Sequence, residues 1–264
     1  MGTILDVLAD SARERVALAK QTTSLEAIKD AAAAVVNPLG DFAFEKALAK
    51  PGVSFICECK KASPSKGLIA PDFPYLQIAK EYELAGGDCI SVLTEPTRFL
   101  GADSYLREIA ASVKIPCLRK DFTVDKYMIY EAKALGASAV LLICSILDDA
   151  CLEKYLAISE ELGLSALVET HDEEEIQRAL RLGARVIGVN NRNLKDFSVD
   201  TGASLKLREL VGDKAIFVAE SGIKTADDVV QLRKVGVDAV LVGETLMRAA
   251  DKRKALNELR GDAS

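Results

Sequence analysis

Histidine is almost missing from this chain: His171 stands alone among 264 residues. A site built on several imidazole ligands is thereby excluded, and a Ser-His-Asp triad would have to use that one ring. The six cysteines, Cys57, Cys59, Cys89, Cys117, Cys144 and Cys151, show no C-x-x-C spacing. Most fall in apolar runs, where a free thiol packs as a small hydrophobe, so reduced structural thiols and no metal are expected. No apolar run approaches the ~18 residues of a membrane span. The opening segment MGTILDVLADSARER lacks a basic-then-apolar targeting pattern. A cytoplasmic protein without membrane contact is the expectation. There is no long basic run and the formal charge is −6, which argues against a nucleic-acid partner and favours a small-molecule substrate. No Pro/Ser-rich linker or low-complexity tract interrupts the chain.

What is present is regular. Eight short, β-branched-rich runs recur: VSFICECK (53–60), CISVLT (89–94), IPCLRK (115–120), SAVLLIC (138–144), LSALVET (164–170), ARVIGVNN (184–191), KAIFVAE (214–220) and VDAVLVG (237–243). Stretches with helical spacing lie between them, among them 75–86, 126–136, 174–183 and 226–236, several ending in a Gly suited to a helix C-cap. Alternating strand and helix implies a parallel sheet, and eight units close most simply as a barrel. No G-x-G-x-x-G follows the first run, as an open dinucleotide-binding sheet would want. The expected fold is α/β, a (β/α)8 TIM barrel in one domain spanning 1–264. Residues 1–50, with an amphipathic run through Ile4, Leu5, Leu8, Ala12 and Val16 and a second helical stretch near 24–35, form an N-terminal helical extension, and 51–264 form the barrel.

Barrel enzymes build their sites at the C-terminal ends of the strands. Read in order, those ends carry Glu58 and Lys60; Thr94 and Glu95; Lys120 and Asp121; Cys144; Glu169; Asn190 and Arg192; Glu220 and Ser221; Gly243 and Glu244. Ionisable residues are costly inside apolar strands, so their recurrence at most of these mouths points to one shared polar pocket. Residues two apart share a face, so Glu58 and Lys60 point together, as do Leu118 and Lys120, while Cys57, Cys59 and Arg119 face the helix layer. Ser221-Gly222 and Gly243 stand after the seventh and eighth runs, where such barrels often hold a phosphate, and SPSKG (63–67) adds hydroxyls, a rigid Pro and another Lys.

Other polar residues have plainer readings. Asp172 with Glu175 three positions on is the expected helix cap, which leaves Glu169 on its strand and His171 in a loop. Asp121 and Glu220 are expected to hold neighbouring lysines by salt bridges. HDEEE (171–175) and DKRK (251–254) read as solvated helix faces.

The motifs ECKKASPSKG (58–67), SVLTE (91–95), LRKDF (118–122), LVETHDEEE (167–175), IGVNNRNL (187–194), AESGI (219–223) and LVGETLM (241–247) occur in one order. On these the chain resembles the indole-3-glycerol-phosphate synthase family over essentially its whole length. The resemblance implies a cofactor-free ring closure, decarboxylation and dehydration of 1-(2-carboxyphenylamino)-1-deoxyribulose 5-phosphate, with the N-terminal helices helping to cover the substrate. It implies that Lys120 is the general acid, that Glu169, Glu58 and Lys60 serve the dehydration, and that Asn190 orients substrate hydroxyls. Arg192 resembles a cation near the substrate carboxylate or phosphate. Ser63, Pro64, Ser221, Gly222, Gly243 and Glu244 correspond to substrate-binding positions around the phosphate, and Phe122, Leu142 and Leu194 to apolar walls. Two other readings remain: a Schiff-base aldolase using Lys60 or Lys120, and a noncatalytic phosphate-metabolite binder. The sequence is compatible with a monomer or a weak homodimer.

Overall fold

A computed structural model describes residues 3–193 and 197–261. Three helices precede the first strand: α1 (Ile4–Thr22), α2 (Leu25–Ala33) and α3 (Ala43–Leu48). α1 starts with a capping box: the Thr3 hydroxyl accepts the Asp6 backbone N–H, and the Asp6 carboxylate accepts the Thr3 backbone N–H. Eight parallel strands follow: β1 (Ser54–Cys59), β2 (Cys89–Leu93), β3 (Cys117–Lys120), β4 (Ala139–Ile143), β5 (Ser165–Thr170), β6 (Val186–Asn190), β7 (Ile216–Glu220) and β8 (Ala239–Val242). Each pairs with its neighbours in the chain, and β1 pairs with β8, with Ser54 opposite Ala239, so the sheet closes on itself. A two-stranded ladder, Ala62–Ser63 against Gly67–Leu68, shapes the loop after β1.

The connecting helices are α4 (Tyr75–Leu84), α5 (Asp103–Ser112), α6 (Lys126–Ala134), α7 (Asp149–Glu161), α8 (Glu173–Arg181), α9 (Gly202–Val211) and α10 (Ala226–Lys234). After β8 come the short α11 (Glu244–Arg248) and α12 (Lys252–Arg260). The start of α8 follows the expected cap, Asp172 accepting the Glu175 N–H at 2.9 Å. Gly136 and Gly236, just past α6 and α10, adopt φ of 87° and 78°, a conformation that side chains resist and that ends a helix.

Strand alternation divides the core in two. Phe55, Cys57 and Cys59 of β1, with Val140 and Leu142 of β4 and Phe217 and Ala219 of β7, pack against the helix layer. Ile56, Leu118, Leu141, Ile143, Leu167, Val218 and Leu241 fill the barrel interior, joined there by Leu8 and Phe44 from the N-terminal helices. Leu142 is therefore not a substrate wall. It lies one residue out of phase with Leu141 and Ile143, and its side chain is fully buried beneath the helices. Leu194 lies outside the described residues. Lys252 is likewise no part of a solvated face: it is buried and donates to the carbonyls of Met247 and Ala249 at 3.0 and 2.6 Å. No helix among the described residues is long and apolar enough to cross a membrane.

Candidate active site

The alternation that fills the interior also builds the site. On β1, β3, β5 and β7 the last apolar inward residue is followed two positions later by Glu58, Lys120, Glu169 and Glu220, and on β6 Gly188 is followed by Asn190. Five strands thus end in a polar ring above an apolar barrel interior. Lys120 Nζ lies 3.0 Å from Glu169 Oε2 and 3.4 Å from Glu220 Oε2. Asn190 donates to Glu169 Oε1 at 3.2 Å, and Lys60 Nζ stands 2.5 Å from Glu58 Oε1. Lys120, Asn190, Glu220, Glu58 and Lys60 line a cavity of about 350 Å³, with Glu169 immediately behind Lys120 and Asn190.

Burial alone would discharge Lys120, but the carboxylates of Glu169, Glu220 and Glu58 outweigh it and hold the ammonium charged well above its ordinary range. Burial pushes Glu169 up, yet Lys120, His171 and the hydrogen bonds from Lys120 and Asn190 leave its carboxyl below the ordinary value. Glu220 is pushed up to about 7, because burial and the neighbouring Glu169 and Glu58 outweigh the pull of Lys120. Two carboxylates at one ammonium therefore divide into a firm anion and a group that holds its proton near neutrality.

The cavity has an apolar wall of Ile4, Leu5 and Leu8 from α1, Leu93 and Phe99 around the loop after β2, and Leu241. Glu95 shapes that loop by accepting the backbone N–H groups of Thr97, Arg98 and Phe99 at 2.8, 2.8 and 2.9 Å. Phe122 stands one layer back, its ring 6.1 Å from that of Phe99. The opposite wall is small and polar: Ser63, Pro64, Ser221, Gly222, Gly243 and Glu244 all line it, as do Lys66 and Lys224. Ser221 and Gly222 have φ of 65° and 85°, and Asn191 steadies this turn by donating to the Ser221 carbonyl at 3.0 Å. Gly243 is small for a local reason: a methyl there would overlap the Glu58 carboxylate and come within 2.9 Å of Lys60 Nζ. Arg192 lines the cavity beside Asn190, whose Oδ1 accepts its backbone N–H at 3.0 Å.

α1 is clasped to the mouth by a buried ion pair. Arg15 forms two bonds to Asp121, at 2.7 and 3.0 Å, and Thr94 adds a third at 2.7 Å. Asp121 therefore holds arginines and the Phe122 backbone, not a lysine; its side chain points away from Lys120, as alternate residues on a strand must. Arg119 faces the helix layer and bridges Asp103, at 2.8 Å, and Glu131, at 2.7 Å.

The parity rule that selected Lys120 also applies to Val218 and Glu220, so Glu220 was open to the same reading. As expected from sequence it holds a lysine, but it does so on the cavity wall. Ile4, Leu5, Leu8 and Phe99 carried no comparable local signal, since nothing in an amphipathic run tells which surface it covers.

Fold and site together define a (β/α)8-barrel enzyme with a charged catalytic-type cluster at the C-terminal mouth and a substrate-sized cavity under an N-terminal helix. Solved structures with this fold include 3-hexulose-6-phosphate synthase from Salmonella typhimurium, with TM-score 0.65 and 14% identity, covering 79% of this chain and 97% of that one. Another is thiamine phosphate pyrophosphorylase from Pyrococcus furiosus, with TM-score 0.60 and 20% identity, covering 79% and 94%. At such identities the likeness concerns the fold alone. The family model described as indole-3-glycerol phosphate synthase matches residues 5–259. The indole-3-glycerol phosphate synthase of Ruminiclostridium cellulolyticum is 54% identical over 260 residues, 98% of this chain and 100% of that one. That of Lachnoclostridium phytofermentans is 51% identical over 267 residues, covering 97% and 98%. The chain belongs to the indole-3-glycerol phosphate synthase family, decarboxylating lyases of tryptophan biosynthesis.

Proposed function

We propose that the cluster around Lys120 carries out the family's reaction on 1-(2-carboxyphenylamino)-1-deoxyribulose 5-phosphate, within a single barrel domain that needs no cofactor. The observation that carries this reading is the position of Lys120, an ammonium on the cavity wall fixed between Glu169 and Glu220. The substrate phosphate lies against the small polar wall of Ser63, Ser221, Gly222 and Gly243, with Lys66 and Lys224 adding charge. Its aromatic ring lies against Leu5, Leu8 and Phe99. Between them, the ring carbon bearing the carboxylate attacks the ribulose carbonyl carbon while Lys120 gives its proton to the carbonyl oxygen. The carboxylate then leaves as carbon dioxide and returns its electron pair to the ring. Dehydration expels the new hydroxyl as water, and the adjacent Lys60–Glu58 pair supplies a donor and an acceptor at that wall. Asn190, tied to Glu169, orients the substrate hydroxyls.

A Schiff-base aldolase fits less well, because an amine nucleophile must be neutral and the neighbouring carboxyl groups, Glu169 foremost, hold Lys120 charged. The enzyme works in the cytoplasm, as a monomer or a weak homodimer. Purified protein incubated with the substrate forms indole-3-glycerol phosphate, followed by indole fluorescence. Lys120→Ala and Glu169→Gln lower kcat by about 10²–10⁴, the usual weight of a general acid or base. Full turnover in folded Lys120→Ala would remove the assignment of the acid, and a covalent adduct trapped by borohydride would move it to the aldolase.

A further inference from the structure

Each turnover of this reaction consumes one proton, because a carboxylate anion goes in and neutral carbon dioxide and water come out. The acid that supplies it opens only onto the substrate cavity, which bound substrate fills: the Lys120 side chain is 14% exposed and Glu169 behind it 2%. His171, directly after β5, is the neighbour of Glu169 that reaches toward solvent, with 21% of its side chain exposed. Its Nδ1 lies 3.2 Å from Glu175 Oε2, an oxygen that also accepts the His171 backbone N–H at 2.8 Å. Its Nε2 faces the other way, 3.6 Å from Glu169 Oε1, and is buried without a hydrogen-bond partner.

A neutral imidazole has one N–H, and here Glu175 takes it. Nε2 then presents a lone pair to the Glu169 carboxylate, and one proton placed between them satisfies both. Glu169 has its two oxygens on different partners, Oε1 toward His171 and Asn190, Oε2 toward Lys120. Asn190 Nδ2 is a donor that cannot carry a proton onward, so the ionisable line runs from His171 through Glu169 to Lys120. The groups facing the ring are Glu169 from β5, Glu175 from α8 and Glu220 from β7. Beside them is the Cys144 thiol, bonded to the Glu175 carbonyl and kept neutral by burial. The three carboxylates outweigh the effect of burial and raise the imidazole above its ordinary value.

We propose that His171 is the inlet through which the site takes up its proton, passing it from solvent to Lys120 by way of Glu169. After Lys120 has protonated the carbonyl oxygen, the Glu169 carboxylate accepts the one proton held at His171 Nε2 and passes it to the neutral Lys120 amine, becoming an anion again. The ring regains a proton from solvent. No electrons change hands, and the net input is the proton the reaction consumes. His171 does not touch substrate; it acts on the cycle by recharging the acid. The inference rests on Lys120 being that acid.

The test compares first-turnover and steady-state rates in wild type, His171→Gln, His171→Ala and Lys120→Ala, each checked for folding by thermal melting. In both His171 variants the first turnover stays within about twofold, since Lys120 arrives charged, while kcat falls on the order of tenfold and becomes dependent on buffer concentration. Added imidazole restores kcat in His171→Ala. Unchanged kcat in the His171 variants overturns the inlet, and so does a first turnover slowed in step with kcat without imidazole rescue, the mark of a structural role. A wild-type first turnover in Lys120→Ala overturns instead the assignment on which the inlet rests.

Discussion

Removing Asp121 tests how the N-terminal helix is held over the cavity. The carboxylate is fully buried and takes two bonds from Arg15, one from Thr94 and one from the Phe122 backbone. Breaking a buried ion pair by deleting one partner costs about 3–5 kcal/mol, because the other charge is left unbalanced. Two features place Asp121→Ala at the lower end. Arg15 is one-quarter exposed and can rehydrate, and Arg119 keeps Asp103 and Glu131. A loss of about 3 kcal/mol lowers Tm by roughly 6–12 °C in a protein of this size, read by scanning calorimetry at pH 7. Asp121 has its pKa lowered from 3.8: burial raises it, and the bonds from Arg15 with the charge of Arg119 outweigh that. Its contribution is therefore complete above the unfolded value and lost as pH falls through the folded one, so the gap between wild type and variant closes in acid. In a double-mutant cycle Arg15→Ala and Asp121→Ala couple by more than about 1 kcal/mol. Because Leu5 and Leu8 ride on the clasped helix, KM rises in both variants. An Asp121→Ala protein melting within about 2 °C of wild type, or strict additivity with Arg15→Ala, would refute the clasp.

Two further outcomes follow from the same geometry. Gly243→Ala puts a methyl onto the Glu58 carboxylate, displacing it from Lys60, and kcat drops by about 10²-fold with the fold intact; activity near wild type would show that Glu58 has room to move without consequence. Glu220 keeps its proton to about 7 against an ordinary value of 4.5, so the folded state binds more protons than the unfolded chain between those values and loses stability as pH rises through them. Glu220→Gln, which carries no charge to bury, flattens the fall of Tm between pH 5 and pH 8, and an unchanged slope would mean that Glu220 is ionised throughout.

How much of this was legible beforehand depends on the range of the interaction concerned. The eight strands, the inward set Glu58, Lys120, Glu169 and Asn190, and the outward Cys57, Cys59 and Arg119 follow from a two-residue period and the cost of burying charge, both readable along the chain. The end of α6 at Gly136 and the start of α8 at Asp172 are equally local. Leu142 shows the limit of motif matching without parity, since its neighbour Leu141 is the residue that faces in.

Other features are set between segments far apart in sequence. Arg15 meets Asp121 across 106 positions, and the wall of Ile4, Leu5 and Leu8 exists only because α1 lies over the mouth. The division of Glu169 and Glu220 into a firm anion and a proton holder depends on both standing at one Lys120, three strands brought together by barrel closure. The sequence by itself determined which residues are strand, helix, inward and outward, because those preferences act over a few residues. Only the tertiary structure decided which charges share one buried site and which helix covers them, because electrostatic coupling and burial depend on distance in space.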